Sequence, residues 1–202
     1  MKNIVFIIII TAASCLFTHV KAQDATAKLN EAENAYSSHN LDGTRSALQD
    51  ALNEINKAIG KEILDILPTK FSDISYNEKD DNVTGSAGFA GLYVNRTYGT
   101  SVGKNAKIEI MGDSPLVTSI NAILSMPMLM GSSESSGKKI TINGYKALLK
   151  KNSGDNQNVS YTIQIPLNQT MLTFSVNGIP GESDVINLAN TIPIDKIMKI
   201  AQ

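Results

Sequence analysis

Apolar residues recur at helical spacing over residues 24–67 and then at a spacing of two from residue 85 onward. In the first stretch Leu29, Ala32 and Tyr36 mark a short helix, and Asn40 to Gly43 supply breakers. Leu48, Leu52, Ile55, Ile59, Ile63 and Ile66 then mark a longer helix that Pro68 ends. Fully buried, these aliphatics would contribute on the order of 10 kcal/mol. The hairpin is therefore expected to dock its apolar face on another surface, with packing on its own protein favoured over a separate arm.

Residues 69–84 are polar, with Asn77 to Asn82 at their centre, and read as a linker or long surface loop. That run lacks the alternating oxygen ligands and turn glycine of a calcium loop. Beyond it, Phe89 to Tyr98 and Ala106 to Met111 alternate like half-buried strands. Asp113-Ser114-Pro115 reads as an oxygen-bearing cap followed by a first-turn proline, opening a helix with Leu116, Val117, Ile120, Ile123 and Leu124 on its buried face.

Pro127 kinks or ends that helix within the methionine-rich segment Met126 to Met130. Two hairpins follow. Lys138 to Ile142 and Tyr145 to Leu149 turn through Asn143-Gly144, and Val159 to Ile165 and Met171 to Val176 turn through Asn168-Gln169. Glu182 to Asn190 closes the chain as a helix, with a short final turn from Asp195 to Ile200. Neighbouring hairpins with segregated helices predict an α+β fold, a helical hairpin followed by an antiparallel sheet covered by helices. The expected division is 1–22, 23–68, 69–84 and 85–202.

Residues 1–22 change the chemistry available. A basic start at Lys2, an apolar run from Ile4 to Phe17 and small residues at Val20 and Ala22 have the form of a secretory signal peptide cleaved after Ala22. Lipidation at Cys15 is the minor alternative. Cleavage removes Cys15, the single cysteine, and His19, one of two histidines. It also removes Lys2 and Lys21, so 18 basic residues become 16 against 19 acidic ones, a formal charge of about −3. Nucleic acid and anionic membrane are poor partners for such a chain. No transmembrane segment is expected after cleavage, and the location expected is periplasmic or secreted.

The order of Leu67-Pro68, Arg96-x-Tyr98, Asp113-Ser114-Pro115-Leu116, Met126-Pro127-Met128, Gly144-Tyr145-Lys146-Ala147 and Ile194-Asp195-Lys196-Ile197 resembles a group of exported bacterial proteins of unknown function. The C-terminal half is similar, in element order, to the Mog1/PsbP-like α+β fold. That resemblance implies binding and assembly roles and supplies no catalytic residue. Ala32-x-x-Ala35-Tyr36 with Ala47-Leu48-x-x-Ala51-Leu52 resembles one tetratricopeptide-like helical pair, but no second copy follows.

The chemistry-bearing candidates are few. His39 lies in a loop and cannot form a structural zinc site alone. Ser114 lacks a nucleophile elbow, so capping explains it more simply than a hydrolase does. Arg96 is a candidate ligand clamp, although a strand arginine more often pairs with an acidic neighbour such as Glu109. Ile123, Met126, Met128, Leu129 and Met130 form the candidate contact surface for a partner or acyl chain, because methionine adapts its shape. Catalytic residues, metal ligands and cofactors are not expected. The expected function is an exported, non-enzymatic binding or assembly protein of the bacterial cell envelope, with the helical hairpin and the methionine-rich segment as its contact surfaces. The alternatives are a periplasmic carrier of an apolar, acyl-chain-like ligand and, behind it, a serine hydrolase.

Overall fold

The helical periodicity of the first third produces two helices, α1 (Val20–Ser37) and α2 (Leu41–Ile66). The computed structural model describes residues 20–86, 91–100, 103–126, 137–153 and 159–201. His39 ends α1 in the left-handed conformation, φ 59°, with the Asn40 amide bonded back to the Ala35 carbonyl. Asn40 then caps α2, its Oδ1 accepting from the Gly43 amide at 3.0 Å. The chain divides into two compact units between Ala58 and Ile59, inside α2.

In the first unit the buried positions are Ala32, Ala47 and Ala51. Lys28 bridges the two helices to Asp50 at 3.3 Å. Leu48, Leu52 and Ile55, expected on the docked face, are exposed, while Ile63 is fully buried and Ile59 and Ile66 are partly buried against the second unit's own core. The regular apolar spacing therefore serves two different purposes along one helix. Small alanines take the covered positions of the hairpin.

The segment expected to be a linker carries structure. β1 (Lys70–Phe71) and β2 (Ile74–Ser75) form a small hairpin, a 3-10 turn spans Glu78–Asp80, and β3 (Asn82–Thr84) is an edge strand. Phe71 and Ile74 are buried, and two apolar positions at spacing three within a polar run are too sparse to register as a period. There follow β4 (Tyr93–Gly99), β5 (Asn105–Met111), α3 (Leu116–Ser125), β6 (Lys138–Ile142), β7 (Tyr145–Ser153), β8 (Val159–Leu167), β9 (Thr170–Asn177), α4 (Glu182–Ala189) and α5 (Ile194–Ala201).

The main sheet is seven-stranded and antiparallel in the order β3-β4-β5-β9-β8-β7-β6, two meanders joined through the β5 and β9 pairing. Asn143 and Gly144 both have positive φ, as the two-residue turn between β6 and β7 requires. One face of the sheet carries Val94, Ile108, Phe174, Ile163 and Leu149, all buried in the core with Ile63, Val185 and Ile197 from the helices and Leu67 just past α2. Gly60 lets α2 approach that face, since a Cβ there would collide with Val83. The other face is a row of polar side chains, Asn95, Glu109, Thr173 and Gln164, which runs into Leu148 under α3. Strict alternation along the strands separates the two faces.

Candidate functional site

Alternation also decides the fate of Arg96. It stands opposite Ile108 on the core face, whereas Glu109, the expected partner, stands opposite Asn95 on the other. Arg96 instead meets Asp81, the residue before β3. Its Nε donates to Asp81 Oδ1 at 3.0 Å and its Nη2 to Oδ2 at 2.6 Å. Its Nη1 donates to the Leu64 carbonyl at 2.9 Å and to that of Leu67 at 3.4 Å, satisfying carbonyls left over at the end of α2. The Tyr76 ring covers the guanidinium, with Cζ 4.4 Å from its centroid. Burial opposes the charge, but the Asp81 hydrogen bond and charge outweigh it, so the Arg96 pKa lies above its ordinary value. Its donors are directed to protein acceptors, and it sits as a clamp joining α2, β4 and the β3 approach.

Two phenols nearby are perturbed. Burial raises Tyr98, partly offset by Arg96, and its hydroxyl donates to the Pro68 carbonyl at 2.9 Å. Burial and then the hydrogen bond to Glu109 push Tyr93 up to about 12. The unfolded chain releases the Tyr93 proton first, near the ordinary value of 10.0, so the stability it lends is full below that pH and lost as pH rises toward about 12. Thermal melting across this alkaline range should therefore fall more steeply for the parent than for Tyr93→Phe. Equal slopes would contradict the assignment.

Ile123 and Met126 lie at the C-terminal end of α3. Ile123 is half-buried against a small cluster of Val117, Ile120, Leu148 and Met171, and Met126 is 62% exposed. Met128, Leu129 and Met130 lie outside the described residues. The register places Arg96 on the opposite side of the sheet from this helix, so the candidate residues do not converge on one site.

Ser114 is buried, but the expected cap is not formed. Pro115 occupies the N-cap with no side-chain cap bond, the Ser114 amide donates to the Gln169 carbonyl, and Ser114 Oγ makes no hydrogen bond to any base or acceptor. The turn conformation of Asp113, φ 51°, directs the chain into the helix by backbone geometry instead. His39 is exposed and acts as the left-handed terminus of α1. Among the described residues no cluster of three or more His, Cys, Asp or Glu side chains has the arrangement to hold a metal ion.

Sequence reasoning missed one feature and left the extent of another open. Asp81 carried no signal beyond its place in a charged run, and only the register of β3 on β4 brings it to Arg96. The exposed apolar row on the hairpin was visible as spacing, but spacing does not say which half of a helix is covered. The exposed large apolar residues of the two helices are Leu29, Tyr36, Leu41, Leu48, Leu52 and Ile55, each between 39% and 66% exposed. Leu41, Leu48 and Ile55 are seven residues apart, with Leu52 between, the spacing of a seam for another helix. Comparison of the chain with protein-family models, curated proteins and solved structures gives no match.

Proposed function

We propose that this chain is an exported, non-enzymatic binding or assembly protein of the bacterial cell envelope, and that its helical hairpin is the contact element. The observation that carries the reading is the exposure of six large apolar side chains on α1 and α2, four of them at coiled-coil spacing. Apolar positions grouped in this way mark an interaction site more often than scattered ones do. The partner presents an amphipathic helix, because a seam with this repeat accepts knobs at the same repeat. The signal-like pattern of residues 1–22 supports export. Among the described residues no helix is long and apolar enough to cross a membrane.

The test is co-purification from the native envelope, comparing the parent with a Leu48→Glu, Leu52→Glu variant. Both positions are exposed, so stability should change by no more than about 1 kcal/mol. The parent should retain a specific neighbour that the variant loses. Identical neighbours for both proteins would remove the hairpin from the interface.

A further inference from the structure

A cavity of about 340 Å³ opens in the second unit, lined by Ser72, Asp73, Lys104, Ile179, Pro180, Asp184, Asn187 and Leu188. Four parts of the fold meet there: the β1–β2 turn, the end of the β4–β5 connection, the β9–α4 connection and α4 itself. Ile179, Pro180 and Leu188 supply apolar lining, and Asp73, Lys104 and Asp184 supply charged groups of both signs. Asp184, Asn187 and Leu188 lie at spacings of three and four on α4 and so share one helix face.

Two backbone features hold this arrangement. Ser72 has φ 54°, as the first position of the two-residue β1–β2 turn requires, and this turn sets Asp73 at the cavity. Gly178 has φ 75°, and a Cβ there would stand 3.2 Å from the Lys104 Cα, so glycine lets the β9–α4 connection close against the lysine. Lys104 Nζ lies 3.8 Å from Asp73 Oδ2, beyond hydrogen-bond reach, and the two side chains are 56% and 70% exposed. Such a pair contributes little by itself and keeps its hydrogen-bonding capacity.

We propose that this cavity binds a small zwitterion with an apolar body, an apolar α-amino acid or dipeptide. The rim carries both signs of charge. A ligand with only a negative group meets Asp73 and Asp184, and one with only a positive group meets Lys104. A zwitterion directs its carboxylate to Lys104 and its ammonium to the aspartates, and the apolar lining takes its side chain. The volume lies at the small end of the range for ligand pockets, which suits a ligand of this size.

The test is a titration of isotope-labelled protein followed by backbone amide shifts. The probes are leucine, phenylalanine and dileucine as zwitterions, N-acetyl-leucine as the anion, leucinamide as the cation and N-acetyl-leucinamide as the uncharged analogue. At least one zwitterion should shift the amides of Ser72, Ile179 and Leu188, and Lys104→Ala and Asp184→Asn should each weaken it about tenfold, the loss expected for one charge-assisted contact. Both substitutions alter exposed rim groups, so the remaining amide shifts report that the fold is kept. No shift at these residues with any zwitterion up to about 10 mM would overturn the proposal. Equal binding of the uncharged, anionic or cationic analogue would overturn it as well.

Discussion

Arg96→Met is expected to destabilise the protein by about 3–5 kcal/mol, the cost of leaving a buried charge without its partner. The Arg96 and Asp81 side chains are only 8% and 12% exposed, and their contact is bidentate. Methionine fills most of the volume under Tyr76 but donates nothing to Asp81 or to the Leu64 carbonyl. The loss should therefore come from orphaned polar groups more than from packing. Asp81→Leu alone should cost a similar amount, because it strands the guanidinium. The double variant Arg96→Met, Asp81→Leu should recover a large part of the loss, since an apolar pair of similar volume often replaces a buried ion pair without penalty. Denaturant unfolding of the four proteins measures this directly. A double variant as unstable as the sum of the single ones would show that the two residues act independently.

Phe174→Ala should cost a comparable 3–5 kcal/mol, here through a cavity. Phe174 is fully buried on β9 at the centre of the sheet, and its ring lies 4.9 Å from that of Phe71, which in turn lies 4.6 Å from Tyr98. This aromatic row is what the β1–β2 hairpin packs upon, and a two-stranded ribbon that short is not stable alone. Loss should therefore be uneven. The Tyr76 amide, bonded to the Thr69 carbonyl, should lose hydrogen-exchange protection before the β8–β9 pairing does. Ile123→Ala, in the shallower cluster beneath α3, should cost much less. A uniform loss of protection across the sheet would show that the hairpin does not depend on the aromatic row.

The strands were the legible part. β4, β5 and β8 bury alternate residues, and the Asn143-Gly144 turn joins β6 to β7 in a two-residue hairpin, so a period of two and a turn signal were enough to place these strands. The helices were legible as helices but not in their burial. Over α2 the same apolar spacing leads into the core at Ile63 and onto the surface at Leu52, because spacing describes a face and not what lies against it. Residues 69–84 failed for another reason. Their short strands are stabilised by distant residues, Tyr98 and Phe174 for the hairpin and β4 for the edge strand, and no local pattern encodes that support.

The candidate residues divide along the same line. Arg96 was conspicuous as one of two arginines, and its type alone suggested a bidentate partner. Which carboxylate it takes depended on strand parity and on the edge strand β3. The cavity at Lys104 and Asp184 had no signature at all, since its lining comes from four separated segments whose residues are individually ordinary.

The amino-acid sequence by itself determined the α+β class, the hairpin-built antiparallel sheet and the scarcity of catalytic reagents, because alternation, turn chemistry and composition are local properties. Only the tertiary structure decided where α2 is covered, that Asp81 and not Glu109 holds Arg96, and that Asp73, Lys104, Asp184 and three apolar side chains line one cavity. Those outcomes depend on which segments come together, and the free energy that brings them together is shared among residues far apart in the chain.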